Sequence, residues 1–407
     1  MIRSHAAWVL PVGEPPIRHG WVAIDGGRIA GFGSRDTPSG PSNASEVVDL
    51  GEAAVLPGLV NAHTHLELSY LRDEVGAAAD FVSWIRNVMS ARQGRRDPHA
   101  PDILESVDRA VAECVASGTA IVGDISNTLV PFDRLVRSQL AAVVFYELIR
   151  FKTPDPAGFV EDAWRRIRAL QPTDRVRASL AAHAPYSVAP LVFKGIRQAI
   201  DRDPGARCSV HLSESVEEIE FVRDGTGPWR ELLVGVGAWD PSWVAPGVSP
   251  VQFLDESRFL DSRVLAVHGV QMTLPDLRRL AARGTTLVTC PRSNRFTGAG
   301  DPPIADFYAS EVRVAVGTDS LASSPDLNVF AELKAMRALA PSVPPSRLLE
   351  SATLQGARAL GFDDEYGTIA AGKMARLIAV DVPARTGDVE EYLVSGIQPG
   401  QLRWIQP

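Results

Sequence analysis

The stretch Pro57-Gly58-Leu59-Val60-Asn61-Ala62-His63-Thr64-His65 decides the fold. It is an apolar run of strand type that closes on His-x-His. Side chains alternate across a strand, so residues two apart share a face and the two imidazoles aim at one point. Neutral imidazole is the commonest protein ligand for a transition metal, and such a pair at the mouth of a buried strand points to a catalytic ion. The plainer reading, two polar residues at a strand end, is outweighed only if further ligands converge from elsewhere in the chain.

Outward from this run, apolar segments alternate with amphipathic stretches of ten to twenty residues, the sequence form of repeated βα units. Eight apolar segments are predicted as strands: Val55–Ala62, Ala120–Ile125, Ala142–Leu148, Arg177–Ala182, Cys208–Leu212, Val264–Val267, Thr286–Thr289 and Val312–Val316. Eight such units predict an α/β fold of the (β/α)8, TIM-like barrel type with insertions, about 250 residues being typical. A doubly wound open sheet is disfavoured, because no Gly-x-Gly-x-x-Gly follows the early strands and no P-loop occurs. Residues 1–57 read instead as short strands, with Trp21–Ile24 and Arg28–Phe32 flanking the hairpin signal Asp25-Gly26-Gly27. Gly367–Lys373 followed by Leu377–Asp381 again reads as turn plus strand. The expected organisation is a small β-sandwich made from both termini (1–57 and 363–407) around a barrel over 58–362. The Pro- and Ser-containing stretch 37–45 reads as an ordinary loop.

The bulk properties narrow the function classes. The 407 residues carry a formal charge of −8, with 45% hydrophobic and 22% charged residues. No basic block interleaved with aromatics marks a nucleic-acid surface, and no apolar stretch is long enough to span a bilayer. A small-molecule partner is expected, with neither nucleic acid nor membrane, and a homodimer is the assembly kept in view. Cys114, Cys208 and Cys290 form no Cys-x-x-Cys, which fits reduced thiols, and Met1–His5 leads into no signal-peptide core, so a cytoplasmic location is expected.

Five of the eight histidines fall at the C-terminal ends of predicted strands: His63 and His65 on the first, His183 on the fourth, His211 on the fifth and His268 on the sixth. Asp319 ends the eighth. In a barrel these ends meet at the catalytic face. The set predicts one divalent cation, zinc or else iron, held by His63, His65, His211 and Asp319 with an open position for water, whose pKa such an ion lowers to about 7. Glu214, three residues past His211, is placed to move the proton, and His268 to orient the oxygen or stabilise developing charge. A carboxylate favoured by a helix N-terminus is the competing reading of Glu214. Trp84 and Trp229 could line a pocket, but aromatic residues are more often core, and they are read as core. Metalloprotease and Pro-Cys-x-x-Cys deaminase patterns are absent.

This ordered set resembles the amidohydrolase superfamily, in particular its single-metal deaminase and chlorohydrolase branch, over essentially the whole chain. The resemblance implies the same four ligands, a His-x-x-Glu proton shuttle (His211 to Glu214) and a strand-6 histidine. Where two-metal members carry a bridging lysine this chain has His183, so one ion is implied. Four runs, Asn61–Ser69, Ala182–Val188, Thr289–Arg295 and Val143–Glu147, are similar to the aminodeoxyfutalosine deaminase group. That group removes the 6-amino group from an adenine-bearing intermediate of an alternative menaquinone pathway. The likeness implies His183 against the purine and Glu67, Ser69, Arg292 and Asn294 as substrate contacts. Arg376, where an aspartate is common, and His268-Gly269 in place of His-Asn depart from the pattern. The alternatives are displacement of chloride or another group from a different heterocycle, and a non-enzymatic scaffold that binds no metal.

Overall fold

The computed structural model describes residues 1–35, 45–95 and 97–405; the loop expected at 37–45 lies outside them except for Ser45. The chain opens with five strands, β1 (Ile2–Val9), β2 (Ile17–Asp25), β3 (Arg28–Ser34), β4 (Glu46–Asp49) and β5 (Ala53–Pro57). Eight follow with helices between them: β6 (Leu59–Thr64), β7 (Thr119–Ser126), β8 (Ala141–Leu148), β9 (Val176–Ala182), β10 (Cys208–Leu212), β11 (Val264–His268), β12 (Thr286–Thr289) and β13 (Arg313–Val316). Strands β14 (Leu377–Asp381) and β15 (Leu402–Trp404) complete the chain.

Strands β6 to β13 pair in sequence order, all parallel. Helices cover such a sheet on the outside, so its strands are apolar on both faces; every residue of β6, β7, β10, β11 and β12 is buried. The sheet closes between its first and last strands. Thr64 bridges to Asp319 in parallel, and the His63 carbonyl accepts from the amides of Thr318 and Asp319, each at 3.1 Å. Asn61 seals the same seam, its Nδ2 donating to Thr318 Oγ1 at 2.7 Å and its Oδ1 accepting from the Thr318 amide at 3.1 Å. Gly317 allows this approach: a Cβ there would lie 2.7 Å from the His63 carbonyl oxygen. The ligand-bearing end of β6 is thus fixed by the closure itself.

Both termini share one seven-stranded sheet, ordered β15-β14-β5-β1-β2-β3 with β4 also on β1. The β2–β3 hairpin turns at Gly26 and Gly27, both at positive φ (54° and 77°), as a two-residue turn of matching twist requires. Alternation then divides the sheet between two cores. Val55, Leu377 and Ala379 face a small cluster with Val9, Val22, Ile24 and Ile29, while Ala54, Leu56, Ile378 and Val380 join the main core against the barrel helices. Arg376 lies in this region, its guanidinium 4.2 Å over the Trp404 ring.

Most strand ends fall within one residue of the sequence reading, and one join differs by more. The run Val55–Ala62, read as a single strand, is split at Gly58 into β5 and β6, which belong to different sheets. A Cβ at Gly58 would come within 2.7 Å of the Ala120 methyl and 3.0 Å of the Trp404 ring, so the chain crosses between sheets through a gap only glycine fits. Both strands are buried on both faces, and no change of hydrophobic period marks the join. Among the described residues no helix is long and apolar enough to cross a membrane, and the three cysteines are buried and unpaired.

Candidate metal centre and active site

The ligand candidates come from three parts of the barrel rim, the ends of β6, β10 and β13, with His268 from β11 beside them. His63 lies within β6 with His65 just beyond it, His211 lies within β10, His268 ends β11, and Asp319 follows β13. Ring centroids separate His63 from His65 by 4.9 Å, from His211 by 5.0 Å and from His268 by 5.6 Å. Asp319 Oδ1 stands 3.5 Å from His63 Nε2 and 3.4 Å from His65 Nε2. Ligands bound tetrahedrally at 2.0–2.1 Å would lie about 3.4 Å from one another, so these two spacings match such a site.

The chemistry of the donors agrees with their spacing. His63 is 0% exposed and neither ring nitrogen has a hydrogen-bond partner. Two orphaned nitrogens in a dry interior are costly unless a cation engages one of them. Burial pushes His65 down to about 3 and His183 and His268 down to about 4, so these rings are neutral at pH 7; burial also drives His211 well below its ordinary value. Neutral imidazole is the form that ligates. His63, His65 and Asp319 therefore fit one divalent cation, and His211, which groups with the same His63, stands beside them as a further donor.

Hydrogen bonds behind the ligands aim them. His211 Nδ1 donates to the His183 carbonyl at 2.9 Å, leaving Nε2 as its lone-pair nitrogen. Asp319 Oδ2 accepts from Ser293 Oγ at 2.5 Å and Ser323 Oγ at 3.1 Å, which turns Oδ1 to the histidines. His268 Nδ1 donates to Asn294 Oδ1 at 2.8 Å, and its Nε2 faces Glu214 Oε1 at 3.5 Å. Such partners set tautomer, orientation and basicity of metal-site histidines.

Glu214 is held by backbone rather than by its own side chain. After β10 the chain turns at Ser213 with φ 53°, and the amides of Ser213 and Glu214 both donate to the Glu218 carboxylate at 2.9 Å. Ser215 then caps the helix Val216–Asp224. Glu214 precedes the cap, buried, with burial first and the Asp319 charge second pushing its carboxyl up. Left-handed backbone recurs at His268 (φ 78°) and Asp319 (φ 57°). Non-glycine residues in that region cost of order 1–3 kcal/mol each, and here all three sit on the rim around one point.

A cavity of about 100 Å³ opens on this cluster, walled by His65, His183, His211, Glu214, His268 and Asp319 on one side. Leu68, Phe81, Trp84, Ile85, Val88 and Tyr186 form its apolar side, with Arg92, Asn127 and Glu147 between. His183 shares a 2.5 Å hydrogen bond from Nδ1 with Ser187 Oγ.

The other sequence-predicted contacts lie outside these walls. Glu67 accepts from Ser126 Oγ, Thr128 Oγ1 and the amides of Asn127 and Thr128, which fastens the loop after β7. Arg292 is engaged by Glu332, Ser324 and Asp326. Ser69 is buried with its hydroxyl unpartnered, and Asn294 stands behind His268.

Sequence reasoning gave no role to Glu147, Asn127, Trp84 or Tyr186, all of which face the cavity. Glu147 and Tyr186 both lie in family-like runs, which is the sequence signal that could have found them. Trp84 lines the cavity, whereas Trp229 backs Tyr186 with ring centroids 3.7 Å apart.

With fold and site in place, the comparisons define the class. The chain belongs to the amidohydrolase family, which matches residues 54–398, and is a hydrolase of carbon–nitrogen bonds other than peptide bonds. It is 28% identical over 422 residues to the 5-methylthioadenosine/S-adenosylhomocysteine deaminase of Moorella thermoacetica, covering 95% of this chain and 91% of that protein. It is 31% identical over 327 residues to the aminodeoxyfutalosine deaminase of Deinococcus radiodurans, covering 76% and 74%. Among solved structures, the Helicobacter pylori aminofutalosine deaminase in complex with methylthio-coformycin superposes with a TM-score of 0.84 at 25% identity, over 97% of this chain and 95% of that one. A zinc-bound adenosine deaminase from Xanthomonas campestris gives 0.82 at 25% identity, over 98% and 90%.

Proposed function

We propose that the protein is a single-zinc deaminase that hydrolyses the 6-amino group of an adenine nucleoside carrying a 5′ substituent, of the methylthioadenosine, S-adenosylhomocysteine or aminodeoxyfutalosine type. One observation carries this reading: His63, His65 and Asp319 present donor atoms within reach of one cation, His211 and His268 group with the same His63, and His65, His211, Asp319, Glu214 and His268 line one small cavity. The names of the relatives support the choice of substrate class, and the zinc in the Xanthomonas campestris structure supports the choice of metal.

His63, His65, His211 and Asp319 would hold the ion. When bound, such a cation supplies Lewis acidity that ionises water near neutral pH. The purine lies between the apolar side, Leu68, Phe81 and Trp84, and His183 opposite, as flat bases are held in largely apolar pockets. Glu214 takes the proton of the incoming water and delivers it to ring N1 as oxygen adds to C6. His268 Nε2 faces the same point and orients the oxygen. Glu214 then takes the second proton from the hydroxyl now on C6 and passes it to the amine, the C6–N bond breaks as the C6 carbonyl forms, and ammonia leaves a 6-oxopurine. Both transfers use one carboxyl group that the Glu218 brace keeps in place.

The test is ammonia release, with the ultraviolet shift from adenine to hypoxanthine, by zinc-loaded protein given adenosine, methylthioadenosine, S-adenosylhomocysteine and aminodeoxyfutalosine. Turnover of at least one is expected. Inertness towards all four contradicts the reading, and halide release from a chlorinated heterocycle under the same conditions would put the alternative in its place.

A further inference from the structure

The helix Phe81–Arg92 lays Trp84, Val88 and Arg92 along one face at i, i+4 spacing. Eight residues at 1.5 Å rise put Arg92 about 12 Å along the axis from Trp84. All three side chains line the cavity that holds the metal-ligand cluster, with Ile85 between. Arg92 and Leu68 also wall a second cavity of about 100 Å³, completed by Glu67, Tyr70, Arg95, Pro98, Ile103, Thr128 and Val130. The two spaces therefore meet at Arg92.

The charges around this outer lobe are already committed, except one. Glu67 is saturated by the loop after β7. Arg95 donates to the Tyr70 carbonyl at 3.1 Å, pairs with Glu74 at 3.3 Å and lies over the Tyr70 ring. Arg92 is half-buried and, among the described residues, makes neither a side-chain hydrogen bond nor an ion pair. It interacts with the Glu147 carboxyl only electrostatically at longer range. A guanidinium presents a planar fork of donors that suits a carboxylate, and leaving it unmatched beside an apolar wall forgoes a strong charge-assisted contact.

We propose that Arg92 seats a carboxylate at the far end of the substrate's 5′ substituent, whose apolar body lies along Ile85 and Val88. The preferred substrate is then an adenine nucleoside with an anionic tail rather than adenosine or a neutral thioether. This rests on the deaminase reading above and names its substrate class further. Glu147 belongs to the inner part of the cavity. Its Oε2 accepts from Asn127 Nδ2 at 2.8 Å, while Oε1 is buried without a hydrogen-bond partner, 3.5 Å from His211 Nδ1, and a carboxyl group there repels an anion.

A matched pair tests it: a 5′-deoxy-5′-(carboxyalkylthio)adenosine and its methyl ester, assayed with the zinc-loaded full chain and with Arg92→Gln and Arg92→Lys. The wild type is expected to favour the acid over the ester in kcat/KM by about 10- to 100-fold, the value of a hydrogen bond to a charged group. Arg92→Gln brings that ratio close to one, mainly through KM for the acid, and Arg92→Lys retains part of it. A wild-type ratio near or below one, or a ratio unchanged in an active Arg92→Gln, overturns the proposal. Absence of ammonia release from either compound by the wild type would instead count against the deaminase reading itself.

Discussion

The inner and outer walls of the cavity are built by different rules. The inner wall consists of strand ends: His65, His211, His268 and Asp319 are set by the register of buried parallel strands, in which Leu212 pairs with His268 and Thr64 with Asp319. The outer wall comes from one helix, Phe81–Arg92, and from residues after β8 and β9 such as Ile149 and Tyr186. A strand that slips by one residue turns its whole buried face outward, so the inner wall tolerates almost no rearrangement. The helix can change its exposed face at little cost to the barrel. Under the proposed function the chemistry belongs to the inner wall and the choice of substrate to the outer.

Substitutions on the inner wall are expected to have the largest effects. Replacing His211 or Asp319 by alanine should abolish stoichiometric metal binding and lower kcat/KM by more than about 10³-fold, because several kcal/mol of Lewis-acid stabilisation is lost; metal analysis alongside kinetics checks both. Glu214→Gln should retain the metal while kcat falls about 10²- to 10⁴-fold. A loss of metal in that variant would make Glu214 a ligand rather than a proton carrier. Ser293→Ala removes the shorter of the two bonds to Asp319 Oδ2 and should weaken metal affinity by about 10- to 100-fold, read by competition with a chelator. On the outer wall, Trp84→Phe should alter KM by only about 2- to 10-fold and leave kcat and metal content close to wild type, as expected for loss of uniform binding. A large drop in kcat there would erase the distinction between the walls.

The closing seam offers a separate way to break the comparison. Gly317→Ala would press a methyl group into the His63 backbone, and overpacking of this kind costs about 1–3 kcal/mol. A lower melting temperature and weaker metal retention should appear together, since the seam also sets His63. Stability lost without any change in metal affinity would mean that closure and ligand placement are independent.

The same division explains what the sequence disclosed. His63, His65, His211, His268 and Asp319 stood out because each ends an apolar run, and a barrel collects such ends on one face. Glu214 was legible from its offset to His211, although the Glu218 carboxylate that fixes its backbone was not, since that contact depends on the turn at Ser213. The run Val55–Ala62 read as one strand across the expected 57/58 domain boundary because both strands that meet at Gly58 are buried on both faces. Trp84 read as core for a similar reason: an aromatic on an amphipathic helix has the same pattern whether it packs against protein or against a ligand. Glu67 and Asn294 show the converse. Both lie in family-like runs, and the structure places their polar atoms on a loop and on His268, which sequence spacing alone does not distinguish from a substrate contact.

Metal content tests the central claim most directly. Protein purified and equilibrated with zinc, then freed of loosely bound ion, should contain about one ion per chain by mass spectrometry, and the His63→Ala/Asp319→Ala double variant, if folded, should contain none. A folded wild-type protein with no stoichiometric ion, or a double variant that keeps it, would contradict the account.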